Sequence, residues 1–150
     1  MDFNYKVMSS TNEAYAFSRL IEHYKTHDRV IIAYDIDDTV RPYYSGSCER
    51  VKSVLRAAAK YLNCYFIVYT CNPYTDKIKK FLDDEDLPYD SINENAPFAP
   101  NVNGKLFYNI FLDDKAGLME TVERLEDLIH YVINEEYKIK CDSVKGVSNE

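Results

Sequence analysis

The stretch VIIAYDIDDT, residues 30–39, decides the fold. Its first half, VIIAY, is a short apolar run without polar alternation, which is how a strand buried on both faces reads. Its second half, Asp35-Ile36-Asp37-Asp38-Thr39, sets three carboxylates and a hydroxyl immediately beyond that strand. Two further apolar runs repeat the arrangement. CYFIVY, residues 64–69, leads into Thr70-Cys71-Asn72, and LFYNIFL, residues 106–112, leads into Asp113-Asp114-Lys115.

Helical spacing fills the intervals. Ala14, Phe17, Leu20, Ile21 and Tyr24 recur at three- and four-residue steps and predict a helix over 11–25, with Ser10 or Thr11 as its N-cap. Val51, Val54, Leu55, Ala58 and Leu62 predict a helix over 48–62 behind Ser47, and Ile78, Phe81 and Leu82 one over 74–83. Leu118, Val122, Leu125, Leu128, Ile129 and Val132 mark a long helix over 117–134. A short strand is expected at 89–92, and residues 93–104, which hold Pro97 and Pro100, read as loop. Strands separated by helix-length segments pair in parallel through right-handed crossovers. The predicted fold class is therefore α/β, a three-layer α/β/α sandwich around a mainly parallel, Rossmann-like sheet. Residues 1–150 are read as one domain: an N-terminal helix at 11–27, a core at 29–135 and a tail at 136–150.

Composition agrees with one soluble core, at 46% hydrophobic and 29% charged residues over 150 positions. A formal charge of -7, from 18 basic and 25 acidic residues, argues against a strong sequence-independent grip on nucleic acid. It leaves room for a local basic patch, or for an acidic site that holds a cation. No apolar run approaches the roughly 20 residues of a membrane span. The first eight residues include Asp2, Asn4 and Lys6 and lack the apolar centre of a secretory signal, so the expectation is a cytoplasmic protein with no membrane partner. Cys48, Cys64, Cys71 and Cys141 form no CxxC pair and are read as free thiols rather than a zinc or disulfide framework.

In open parallel sheets ligands sit beyond the carboxyl ends of the strands. A single acidic cluster there reads as a solvated turn, because Asp is a good turn residue. Two clusters brought to one edge repel, by roughly 4 kcal/mol for each pair of unit charges about 4 Å apart at a dielectric near 20. A divalent cation offsets that repulsion, and ligands that are all oxygen point to Mg2+ rather than zinc.

Taken together, these residues resemble the haloacid dehalogenase superfamily. Asp35-Ile36-Asp37-Asp38-Thr39 matches its DxDxT signature, Thr70 its second motif, Lys105 its third and Asp113-Asp114 its fourth, in the superfamily's order. The resemblance implies a magnesium-dependent phosphatase, a phosphoric monoester hydrolase working through an aspartyl-phosphate. Asp35 would be the nucleophile and Asp37 the general acid and base. Thr70 would hydrogen-bond the phosphoryl oxygens and Lys105 would offset charge, with Lys115 as the alternative for that role. Magnesium would bind the Asp35 carboxylate, the Asp37 backbone carbonyl and the Asp113-Asp114 pair, with Asp114 the first choice for the direct ligand. Thr39, Arg41, Asn72 and Tyr74 complete the expected substrate-binding set.

The intervals between motifs are too short for a folded cap, so the sequence looks like a capless or minimally capped member with an open site. Such a site favours a large substrate, and a nucleotide or polynucleotide end is the first expectation. Arg41 would contact its phosphate, while Tyr43, Tyr44 and Tyr74 stack on a base. The plainer account of these tyrosines is loop packing, in a chain with 14 Tyr. Rival readings are a non-catalytic phosphoryl-receiver-like domain, whose acidic, Thr and Lys positions follow a different order, and a degenerate magnesium-binding module. His23, His27 and His130 read as helix-surface residues.

Overall fold

The computed structural model describes residues 3–44, 46–100 and 103–147. The chain runs α1 (Phe3–His27), β1 (Val30–Tyr34), α2 (Glu49–Tyr61), β2 (Cys64–Val68), α3 (Thr75–Asp84), β3 (Ser91–Ile92), β4 (Ile110–Leu112) and α4 (Leu118–Val147). The four strands form one sheet in the order β3-β2-β1-β4, and every pairing is parallel. The expected α/β class with a parallel Rossmann-like sheet is what the chain adopts. β1 takes a central place, as its composition requires: all five of its residues are buried, and it pairs along both edges.

Strand alternation divides the interior in two. Val30, Ile32 and Tyr34 join Phe66, Val68, Ile110 and Leu112 in the main core, with apolar positions from all four helices. Ile31, Ala33 and Ile67 point the other way, into a smaller cluster closed by Ala96, Leu106, Phe107 and Tyr108. That second face is covered by the crossover from β3 back to β4, whose described residues, 93–100 and 103–109, are irregular chain. Pro97 and Pro100 interrupt any helix there. The three layers are thus helices, sheet, and an outer layer of loop.

Element ends differ from expectation where tertiary contacts decide them. α1 begins at Phe3, so Ser10 and Thr11 lie inside the helix instead of capping it; the Ala14 side chain is outside the described residues. β4 has three residues where seven were expected. Asn109 explains its start: the side-chain Oδ1 accepts the Ile31 N–H at 2.8 Å, in place of a backbone carbonyl. The tail expected at 136–150 continues α4 as far as Val147. Lys52 fastens α2 to the end of α3, its nearly buried ammonium donating to Glu85 at 2.7 Å and lying 2.9 Å from Glu49. Cys48, Cys64, Cys71 and Cys141 form no disulfide. No helix among the described residues is long and apolar enough to cross a membrane.

Candidate functional site

From β1 the chain steps through α2 to β2 and through α3 to β3, then returns to place β4 on the other side of β1. That reversal opens a crevice at the carboxyl ends of β1 and β4, the position where open α/β sheets bind ligands. Asp35 and Asp113 are the first residues beyond those two ends. The Asp35 N–H donates to the Leu112 carbonyl at 2.9 Å, so the ladder extends to the carboxylate itself. Asp35, Asp113 and Asp114 each offer a carboxylate oxygen, all within 4.8 Å of one another. Half-burial pushes the Asp35 carboxyl above its ordinary range. The Ile36 backbone N–H opposes that rise, while Asp113, Asp114 and Asp37 add to it.

The loop after Asp35 is built by its own backbone. The Ile36 carbonyl accepts the N–H groups of Val40 at 3.0 Å and Arg41 at 2.9 Å, and Asp38 sits at φ 58. Asp tolerates this left-handed conformation better than most residues. The Asp38 carboxylate accepts the backbone N–H groups of Tyr43 at 2.8 Å and Tyr44 at 2.7 Å, anchoring the exposed tyrosine pair at the rim. Gly117, at φ 64, then turns the chain from the Asp113-Asp114 loop into α4.

At the end of β2, Thr70 is buried. Its N–H donates to Asn93 Oδ1 at 2.9 Å, and its carbonyl accepts the Asn93 amide at 2.7 Å. Its Oγ1 accepts the Asn72 N–H at 3.1 Å, and Asn72 in turn accepts from the Tyr74 N–H at 2.9 Å. Asn93 falls in the stretch whose sequence reads as loop; its left-handed φ of 56 and its paired bonds to Thr70 give it a structural task. The signal available in sequence was an Asn directly after a strand, a residue suited to that conformation.

A cleft of about 530 Å³ brings together Asp35, Asp37, Thr70, Asn72, Tyr74 and Asp114, joined by Lys115. The remaining expected residues are placed differently. Lys105 is exposed, ahead of the amino end of β4, with its carbonyl accepting from the Asn95 amide at 3.2 Å; it does not line the cleft. Because β4 begins only at Ile110, the strand leads away from Lys105 and toward Lys115. Thr39 is fully buried, and its Oγ1 accepts the Asp114 N–H at 3.1 Å, so it ties the two acidic loops together and does not face a ligand. Arg41 donates from Nε at 3.0 Å and Nη2 at 2.6 Å to Asp37 Oδ1, with its guanidinium 5.7 Å from the Phe81 ring centre. Asp113 belongs to the carboxylate cluster, and its Oδ1 accepts the Lys115 N–H at 2.8 Å.

Fold and site together define an α/β protein with a carboxylate cluster at the switch point of a parallel sheet. Compared with family models, curated proteins and solved structures, the chain matches none of them.

Proposed function

We propose that the chain is a magnesium-dependent phosphatase that hydrolyses phosphate monoesters through a phosphorylated Asp35. The observation that carries this reading is the convergence of Asp35, Asp113 and Asp114 at two adjacent strand ends, with Asp35 and Asp114 opening into a cleft that Thr70 also lines. Three carboxylates without His or Cys are a donor set suited to a hard divalent cation. Bound by these three residues, Mg2+ would neutralise part of the cluster and draw phosphate oxygens toward it.

The chain's own groups carry the chemistry. An Asp35 carboxylate oxygen bonds to phosphorus as the bond from phosphorus to the ester oxygen breaks, and Asp37 supplies that oxygen with its proton. Water then attacks the phosphorus and passes its proton to Asp37, which releases inorganic phosphate and restores the Asp35 carboxylate. Thr70 Oγ1 already accepts a hydrogen bond from Asn72, so its own hydrogen is available to a phosphoryl oxygen. Lys115 takes the charge-offsetting role that the resemblance to haloacid dehalogenases gives to a lysine. Tyr43, Tyr44 and Tyr74, exposed around the cleft, favour a nucleotide or nucleic-acid end as substrate, because flat rings stack on bases.

Purified protein is expected to release phosphate from 4-nitrophenyl phosphate with Mg2+ and to stop when the metal is chelated. Asp35→Asn is expected to lower the rate by about a thousandfold or more, the loss typical of a removed nucleophile. Undiminished turnover by that variant would overturn the assignment. One observation favours a second reading, a magnesium-binding module without turnover: the Asp37 carboxylate is engaged by Arg41. Metal binding by the wild type with no phosphate release selects it.

A further inference from the structure

We propose that a groove at the opposite, amino-terminal edge of the sheet binds single-stranded nucleic acid. Two adjoining hollows, about 550 and about 370 Å³, share His23, Phe107 and Asn109. They run between α1, α4 and the crossover that precedes β4. Arg19 and Arg124 line the larger, Arg29 and His27 the smaller, and His23 both. Against the three guanidiniums, with His27 and His23 beside them and His23 held toward its neutral form by burial and by His27, the described walls carry one carboxylate, Glu22. In a chain with 25 acidic residues this is a local inversion of charge, and a concave positive surface concentrates anions.

The arginines make the point sharply. The chain has six. Arg41, Arg50 and Arg56 are ion-paired, to Asp37, Glu126 and Glu85. The three with no ion pair among the described residues, Arg19, Arg29 and Arg124, all line this groove. Guanidinium groups left without carboxylates and gathered in one concavity are the donors that phosphates take.

Aromatic surface is interleaved with them. Phe107 lies in both hollows, Tyr108 in the larger and Phe98 in the smaller. Phe98 is 42% exposed, and the Arg29 guanidinium carbon stands 3.3 Å from its ring centre. Cations and aromatic rings gathered in one groove are what a single strand engages, phosphates on the cations and bases on the rings. Asn109 keeps Oδ1 on the Ile31 N–H, and its amide hydrogens, without an acceptor among the described residues, can serve a base edge. Two contiguous hollows suit more than one nucleotide.

The groove lies across the sheet from the carboxylate cluster and does not rest on the phosphatase reading. The test is the fluorescence anisotropy of a labelled oligothymidylate of roughly 12 nucleotides with the full chain, without magnesium, in about 50 mM salt. Saturable binding is expected, with log K falling against log salt by about 0.7 per phosphate contacted. Arg19→Ala combined with Arg124→Ala is expected to weaken binding about tenfold or more. Phe98→Ala should weaken it about fivefold or more through lost stacking. Lys79→Ala, outside the groove, should leave it unchanged, and circular dichroism establishes that each variant is folded. No saturable binding by the wild type, or equal affinity in the double arginine variant, overturns the proposal. It is equally overturned if Phe98→Ala binds as the wild type does and inorganic polyphosphate displaces the strand at matched charge, because the groove would then read charge alone.

Discussion

Asp35 carries the cost of its position. Burial, with three neighbouring carboxylates, raises its proton affinity in the folded chain above that in the unfolded chain. Between the ordinary carboxylate value and the raised one, the folded state binds more protons than the unfolded state. Stability is therefore lost as pH rises through that window, and it stays lost above it. Metal-free Asp35→Asn is expected to melt at a higher temperature than the wild type near pH 7, with the difference closing near pH 4. Melting curves in a chelator at the two pH values decide this. Thr39 shows the limit of residue-level reading. The DxDxT pattern places a hydroxyl there, and substrate is its obvious use, yet full burial and the 3.1 Å bond from the Asp114 N–H make it a tie between loops. Burial of that kind depends on where a second loop lands, which no local pattern encodes. Thr39→Val is expected to cost about 1–3 kcal/mol in denaturant unfolding by leaving the Asp114 N–H without its acceptor, whereas Thr39→Ser keeps most of the stability.

At the scale of elements, α4 separates packing from mere helicity. Its stripe through Val122, Leu125, Leu128, Ile129 and Val132 is buried, and beyond Ile133 its described side chains contribute nothing to the core. Leu125→Ala is expected to lower stability by about 2–5 kcal/mol, since the Leu125 side chain is fully buried. Removing residues 137–150 is expected to shift the melting temperature by no more than about 3 °C, because the described side chains of that stretch, 137–143, make no core contact and exposed helix contributes little. A shift as large as that of Leu125→Ala would show that the last turns pack after all. The contrast explains what sequence could supply. Helical periodicity located the buried stripes of α2, α3 and α4 because burial itself creates the periodicity. It could not locate the start of α1 or the end of α4, which lie beyond the buried stripe. β4 failed for a different reason. LFYNIFL is apolar except at Asn109, but Phe107 and Tyr108 spend that character on the second face as irregular chain, and Asn109 replaces a ladder carbonyl with its side chain.

For the molecule as a whole, the decisive rule was that a parallel sheet delivers all its carboxyl ends to one edge. Asp35, Thr70 and Asp113 could be assigned to that edge from sequence because each directly follows an apolar run. Lys105 could not be placed in this way, since its position turned on where β4 begins. Lys115, two residues past Asp113, fell on the correct side. The same topology concentrates negative charge in a chain that is already at -7, with Asp35, Asp113 and Asp114 inside 4.8 Å. A cation that binds only the folded state adds stability as its concentration exceeds its dissociation constant, by about 2.7 kcal/mol at a hundredfold excess. For a domain of this length each kcal/mol raises the melting temperature by about 2–4 °C. Saturating Mg2+ is thus expected to raise it by roughly 5–10 °C over the chelated protein. Asp113→Asn combined with Asp114→Asn should abolish that response and, by relieving repulsion, raise the melting temperature of the chelated protein. Identical wild-type melting with Mg2+ and with chelator would mean that the three carboxylates tolerate one another without a metal, and the phosphatase reading would lose the observation on which it stands.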